Sequence, residues 1–189
     1  MELDEIKELE VSLGVSMGFF DSLLNEDDWS FVIKLHALIE AATTHLITEH
    51  LDDERLSNVI SFLELSNQRT GKIALLKALE LISSEYKRYI ISLSELRNSL
   101  VHDVKNTQFS FKETIESYSE KEFSNFIKRY GLSLGENEVV NSIYVELAKN
   151  DPKEFIWSGA LTVLTYIYTR KRTSYYERIV KAVKLANME

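Results

Sequence analysis

The residue types best suited to acid–base chemistry on a phosphate meet in one short stretch, SLSELRNSLVHDVKN, at positions 92–106. It contains Arg97, Asn98 and His102. Histidine titrates near neutrality, so it can act as a general base or acid. A guanidinium stays charged and can fork onto two phosphate oxygens. Such a pair could cleave RNA without a metal, because the ribose 2′-OH attacks the adjacent phosphorus and the negative charge that develops needs a fixed cation.

Helical geometry sets a condition on this pair. Residues five apart, such as Arg97 and His102, lie about 140° apart around an ideal helix, so they do not face one target. Asn98 and His102 are four apart and share a face. The helix must therefore end or loosen near His102, and the turn-prone Asp103 permits such an end. Asn98 is then expected to orient His102 or a phosphate.

Two neighbours are predicted to support the candidate site, namely Glu95 and Ser99. Glu95 stands two residues before Arg97 and is expected to hold its guanidinium. A plain structural interpretation stays open beside this one. In it, Glu95 and Arg97 are solvated side chains, and His102 is a cation favoured by the dipole at the C-terminus of a helix.

The spacing from Arg97 to His102 resembles the Arg-[Asn/Asp/His]-x-x-x-His signature of the HEPN superfamily, a group of all-helical domains that includes metal-independent RNA endonucleases. The resemblance covers about 27–118. It implies an endoribonuclease with Arg97 and His102 catalytic and Asn98 assisting, no cofactor, and a site shared by the two chains of a homodimer. A role as a toxin or in defence or stress response would follow.

A second resemblance points to a different function. The stretch KIALLKALELISSEYKRYIISLSELRN, followed by FSF, is similar to the mannitol operon repressor family. That likeness implies a non-catalytic helical regulatory or protein-interaction module. The two resemblances agree on the fold and differ on the function.

An antitoxin or another protein partner is a further implication of the first resemblance. Superfamily toxins that pair with a nucleotidyltransferase antitoxin carry a tyrosine two residues after the histidine. This chain has Val104 there, so the residue does not support that particular pairing.

Other kinds of site lack their residues. The chain contains no cysteine, which excludes disulfides, Cys-ligated zinc and iron–sulfur clusters. There is no phosphate-binding glycine loop and no nucleophile elbow. His45 and Glu49 share a helical face, but two ligands do not make a metal site. We therefore predict no metal and no cofactor. The acidic start MELDEIKELE is unlike a signal peptide and indicates a cytoplasmic protein.

Charge is unevenly distributed along the chain. The net charge is −8, and residues 1–54 hold 14 acidic and 2 basic side chains. Bulk attraction to nucleic acid is therefore not expected, because that affinity comes from neutralising phosphates. The basic segment 170–184 could guide an RNA backbone locally, with Ile179, Val180 and Val183 packed inward, or be only a solvated face. Its candidate RNA-binding residues are Arg170, Lys171, Lys181 and Lys184.

Apolar periodicity predicts helices throughout. We expect them over about 27–51, 53–65 and 70–82, from Ser83 or Ser84 down to the motif, and over 119–130 and 152–187. QFSFKET, at 108–114, is expected to be extended or a loop, and 131–138 a linker. The prediction is an all-α fold: a four-helix up-and-down core with an N-terminal acidic segment, within residues 1–130, and a helical C-terminal extension, 131–189, packed on it as one compact domain.

The most apolar window is FIWSGALTVLTYIYT, at 155–169. Its length falls short of the roughly 18 residues expected of a spanning helix, so we predict no membrane association. A buried core helix or a dimer-interface helix is expected instead. Aromatic residues are enriched at interface centres, which favours a homodimer through the aromatic-rich C-terminal segment: Phe155, Trp157, Tyr166, Tyr168, Tyr175 and Tyr176.

Overall fold

A computed structural model describes residues 2–132 and 138–187, and the side chains of 5–132, 141–180, 183, 184 and 187. Helix accounts for 79% of the chain, and the described residues contain no strand, which confirms the all-α prediction. Short 3-10 segments lie at Leu23–Asn25, Glu54–Leu56 and Val104–Gln108. The α-helices are α1 (Glu2–Ser12), α2 (Phe19–Ser22), α3 (Asp28–Leu51), α4 (Ser57–Ser61), α5 (Lys72–Ala78), α6 (Ser84–Val101), α7 (Phe111–Glu116), α8 (Glu120–Tyr130), α9 (Glu138–Asn150) and α10 (Pro152–Ala186).

The long helix α3 begins where the sequence predicts. The Asp27 side chain accepts a hydrogen bond from the Ser30 backbone N–H at 2.9 Å, which satisfies a donor that the first turn leaves free. Phe31, Leu35 and Ile39 recur at helical spacing and are fully buried. The helix ends at Leu51, and the next residue, Asp52, is left-handed with a φ of 55°.

Helices α3 and α10 run parallel along each other. Lys153 Nζ lies 2.8 Å from Asp28 Oδ1 near the start of both helices. Arg178 pairs with Glu49 near the end of α3. At 1.5 Å per residue α10 is about 52 Å long and α3 about 36 Å, so the last turns of α10 extend beyond α3.

Helix α6 runs antiparallel to α3 and packs on α10. Trp29 Nε1 donates to the Leu100 carbonyl at 3.4 Å, and His36 lies further along α3 beside Ser94. On the other side, the buried Tyr89 hydroxyl donates to the Ile156 carbonyl at 2.6 Å. This packing places the last turn of α6, which carries the motif, beside the first turn of α3.

The second and third predicted helices are much shorter than expected, so a core of four up-and-down helices is not confirmed. Residues 53–65 contain only a 3-10 turn and α4, and α5 spans seven residues. Leu65 is buried, and backbone bonds join Lys72 N to Glu64 O and Ile73 N to Leu65 O. Because Leu65 enters the core and Glu64 accepts from the start of α5, the chain folds back here instead of continuing as helix.

The prediction of an extended strand or loop at 108–114 is wrong over its second half. Residues 111–116 form α7, since the Ser110 side chain accepts from the Glu113 backbone N–H and caps the helix. Phe111 and Ile115, four residues apart, are its buried positions. The alternation of phenylalanines at 109 and 111 therefore reflects a turn into a helix.

The predicted C-terminal helices are present. Helix α8 begins with a capping box at Ser119 and Glu122, and Asp151 Oδ1 accepts from the Glu154 backbone N–H at 3.0 Å at the start of α10. Helix α9 is an element that the sequence analysis did not predict. Most of the predicted linker, 133–137, lies outside the described residues. The division into a core and an extension stays a prediction.

The apolar window of α10 is buried, including Phe155, Ile156, Ala160 and Leu164. Among the described residues, no helix combines the length and the apolar character needed to span a bilayer.

Candidate functional site

The motif occupies the last turn of α6. Residues of α6 itself fix the position of this helix. The Ser83 side chain caps the helix by accepting from the Tyr86 backbone N–H at 3.3 Å. Tyr89, Ile90 and Leu93 are fully buried and hold one face against the core. The helix ends at Val101, and the backbone turns extended only at Asp103. Arg97, Asn98 and His102 thus lie at the end of a firmly anchored helix.

Arg97 and Asn98 are joined directly. The guanidinium Nη1 donates to Asn98 Oδ1 at 3.0 Å, and both side chains are half-buried. Arg97 also lies near α3, because its charge acts on His36. Burial is the main cause that lowers the pKa of His36, and the Arg97 and Lys72 charges lower it further against the opposing effect of Glu40. A positive guanidinium is thus held between α3 and the exposed face of α6.

His102 is exposed, and its side chain makes no hydrogen bond or ion pair within the described part of the chain. Its backbone remains right-handed helical, with φ −84° and ψ −14°. The helix therefore does not loosen before the histidine. His102 lies on the same helix face as Asn98, four residues earlier. Arg97 projects from a different face, and its guanidinium is turned towards this one by its hydrogen bond to Asn98.

The predicted role of Glu95 as the partner of Arg97 is wrong. Glu95 Oε2 lies 3.8 Å from Nη2 of Arg129 on α8, and both side chains are more than half exposed. Glu95 and Arg97 project from opposite sides of α6, since residues two apart differ by about 200°. Arg97 therefore donates its hydrogen bond to the amide oxygen of the adjacent Asn98.

Ser99 has a structural role at the helix end. Its hydroxyl donates to the Leu96 carbonyl at 2.7 Å, and its own carbonyl accepts from Asn106 Nδ2 at 2.8 Å. The second bond draws the 3-10 segment after the motif back onto the last turn of α6. Ser99 thus supports the motif by fixing the path of the chain after His102.

A buried polar network lies behind the motif and was not predicted from the sequence. His36 Nε2 is 3.1 Å from Ser94 Oγ, whose hydroxyl donates to the Ile90 carbonyl at 2.9 Å. Because that proton is used, Ser94 accepts from His36, which fixes the neutral ring with its proton on Nε2. His36 Nδ1 faces Glu40 at 3.9 Å, and Glu40 accepts from Lys72 Nζ at 2.7 Å. Only the spacing of four between His36 and Glu40 is visible in the sequence.

A groove of about 410 Å³ opens beside the motif, on the side of α6 that faces α7 and α8. Glu95 and Ser99 lie at its mouth, and aromatic side chains of the two shorter helices form its walls. Arg97 is not among the lining residues, which agrees with its position towards α3. The Arg97–Asn98 pair and the aromatic groove therefore lie on different sides of α6.

Two of the basic residues near the C-terminus, Arg170 and Lys171, are half-buried and not free on the surface. Arg170 has its Nε buried and unbonded in the described structure, and Lys171 lies in a groove with His45 and Glu49. Lys184 is exposed, and the Lys181 side chain lies outside the described residues.

The expected inward packing of the apolar residues among them is wrong. Ile179, Val180 and Val183 are exposed, because this part of α10 has passed the end of α3. Arg178 is committed to Glu49 and to Asp52, at 2.7 Å from Asp52 Oδ1.

No group of three or more histidine or acidic side chains that could hold a metal occurs among the described residues. Comparison of the chain with protein-family models, curated proteins and solved structures gives no match.

Proposed function

We propose that this chain is a metal-independent endoribonuclease of the HEPN type, acting through Arg97 and His102 with Asn98. The observation that carries the proposal is the arrangement at the end of α6. His102 is exposed and makes no hydrogen bond or ion pair with the described side chains, and it shares a helix face with an amide that already holds the guanidinium. This leaves an imidazole free to move protons beside a fixed positive charge.

The proposed reaction is cleavage of the RNA backbone by its own 2′-OH. One imidazole takes the 2′-OH proton while the oxygen attacks phosphorus, and a protonated imidazole gives a proton to the departing 5′-oxygen. The products are a 2′,3′-cyclic phosphate and a 5′-OH. Arg97 binds the non-bridging oxygens, where negative charge develops in the transition state. Asn98 keeps the guanidinium near His102.

One chain supplies one histidine to this site, so we propose a homodimer in which the second histidine comes from another copy. Exposed apolar side chains flank His102 and support contact with a second copy there: Val101 is 39% exposed and Val104 81% exposed. The proposal places the protein in the cytoplasm, in defence or stress response, with RNA as its substrate.

The test is cleavage of a single-stranded RNA in EDTA, with analysis of the ends. We expect the wild-type protein to produce 2′,3′-cyclic phosphates, and His102→Ala and Arg97→Ala to lose at least a hundredfold in rate, within the range of general acid–base catalysis. Arg69→Ala is a matched control, because Arg69 is exposed and lies away from the motif. Equal rates for wild type and His102→Ala would remove the assignment.

A second candidate function is a non-catalytic helical module that binds a protein, as the likeness to the mannitol operon repressor family implies. A specific observation favours it. The C-terminal part of α10 exposes an apolar row at helical spacing: Tyr176, Ile179, Val180 and Val183. An RNA that stays intact with pure protein, together with loss of a protein partner when Val180 and Val183 are changed to glutamate, would support this module over the nuclease.

A further inference from the structure

The groove beside the motif has an aromatic interior. Its floor is fully or nearly buried and consists of Phe111, Ile115, Phe126 and Tyr130. Phe109 stands edge-on to Phe111, with ring centroids 4.9 Å apart, and Tyr118 stands edge-on to Phe126 at 6.3 Å. With a volume of about 410 Å³, the groove falls in the range of small-ligand pockets and has room for one planar ring with its sugar.

Two polar groups of the groove, the Asn125 amide and the Tyr118 hydroxyl, are left without a hydrogen bond in the described structure. The amide is exposed and the hydroxyl half-buried. By contrast, the Tyr130 hydroxyl donates to the Ser92 carbonyl at 3.1 Å. An amide and a phenol are thus available above an aromatic floor, and both can read donors and acceptors on the edge of a ring.

The mouth also carries a charged pair, Glu95 and Arg129, whose charged atoms are 3.8 Å apart. Both side chains are more than half exposed, so water screens the two charges and the ion pair contributes little to stability. Arg129 can turn to a phosphate or stack on a base. A second carboxylate, Glu122, also lines the groove and accepts from the Ser119 backbone N–H and hydroxyl. An apolar peptide side chain or a lipid tail would leave the Arg129 charge unsatisfied, whereas a nucleotide offers it a phosphate.

The groove lies next to the proposed site on the same helix. At about 100° per residue, His102 falls between Asn98 on one side and Glu95 and Ser99 on the other. Ser99 precedes His102 by three residues, which is about 4.5 Å along the axis. A base in the groove therefore brings its own phosphate to the end of α6, where His102 and the Arg97–Asn98 pair lie.

We propose that this groove binds one base of a single-stranded RNA, the base next to the bond that is cleaved. The inference rests on the proposed function, because it names the substrate class of that same site. Only an unpaired base can leave its neighbours and enter, since a duplex keeps its bases stacked and paired. The aromatic walls, which include the Tyr118 ring, supply stacking, and the Tyr118 hydroxyl and the Asn125 amide supply the base preference.

The test measures binding separately from cleavage by using the His102→Ala protein. Short RNA oligonucleotides carry a single 2-aminopurine, moved one position at a time, and its fluorescence is quenched when the base stacks on an aromatic ring. We expect quenching at one position of the bound RNA. In the same protein, Tyr118→Ala should weaken binding about tenfold, a typical effect for the loss of one stacking partner.

Asn125→Ala is the second variant, because its side chain is exposed and its loss leaves the fold intact. It should reduce the difference in affinity between oligonucleotides that carry different bases at the quenched position. Ser124→Ala, the neighbouring exposed residue of α8 outside the groove, is the matched control and should bind as the parent does.

The outcomes separate the two proposals. Cleavage by wild type without any quenched position, or with unchanged affinity for both groove variants, overturns the groove inference and leaves the nuclease. Quenching that depends on Tyr118, in a protein that never cleaves RNA, supports the groove as an RNA-binding site and removes the proposed reaction.

Discussion

Lys72 is the most informative residue for the energetics of the polar network behind the motif. Its side chain is 1% exposed, and its ammonium has two partners, Glu40 Oε1 at 2.7 Å and the Ser61 carbonyl at 3.2 Å. Glu40 is 34% exposed and also faces His36. The two charges of this pair are therefore unequal in their access to water.

This asymmetry predicts unequal effects of two substitutions. Glu40→Gln keeps the shape but leaves a buried ammonium without a counter-charge, which should cost about 3–5 kcal/mol of unfolding free energy. Lys72→Met keeps the apolar stem and leaves a carboxylate that water can reach, and the loss of the charged hydrogen bond should cost about 1.5–3 kcal/mol. The double variant has no charge in the network core and should be closer to wild type than Glu40→Gln alone.

The assay is urea unfolding at pH 7.5 and fixed protein concentration, followed by circular dichroism at 222 nm. The double-mutant cycle gives the coupling between the two residues directly. The reasoning is refuted if Lys72→Met destabilises as much as Glu40→Gln, or if the two effects simply add. Either result would mean that burial of the ammonium does not dominate the pair.

Three other outcomes are expected. Gly159→Ala should destabilise by about 1–3 kcal/mol, because the added Cβ would lie 2.6 Å from a Tyr89 ring carbon; an unchanged urea midpoint would contradict this packing. The pKa of His36 is lowered from 6.5, chiefly by burial, so the unfolded state binds more protons than the folded state. The free energy of unfolding should therefore fall as the pH drops below about 6.5, by at most about 1.4 kcal/mol per pH unit. His36→Gln should flatten that slope between pH 7.5 and 5.5, and an identical slope would exclude His36 as a cause. Val180→Glu with Val183→Glu should change the unfolding free energy by about 0.5 kcal/mol or less per residue, since both side chains are exposed; a large loss would mean that this part of α10 is packed.

Local sequence signals were sufficient for the fold class and for the starts of α3, α6, α8 and α10. Asp27, Ser83 and Asp151 cap α3, α6 and α10 near the predicted helix starts, because a cap depends on backbone donors within the next three residues. The apolar periodicities of α3 and α6 also predicted helices correctly, because the 3.6-residue period is a local property of the sequence. The region between α3 and α6 was not predicted correctly. The chain reverses around Leu65 because that side chain is buried in a core that other helices form.

The motif itself was identifiable from residue types and spacing. Arg97 and Asn98 are adjacent in the chain, so their hydrogen bond needs no tertiary contact. The partner of Glu95 was not identifiable, because Arg129 is brought to it by the packing of α8 on α6. The same holds for Lys72 and Glu40, which are 32 residues apart and meet only through the contact of α5 with α3.

The sequence alone thus determined that the chain is helical and where a histidine and an arginine stand close together, since both follow from short-range spacing. Only the tertiary structure decided which side chains are free. His102 remains exposed because α6 ends there. The aromatic groove exists because α8 packs on α6 and α7 packs on α10 beside them. The last turns of α10 are uncovered because α10 is longer than α3. Each of these depends on lengths and contacts between distant segments, which no local pattern encodes.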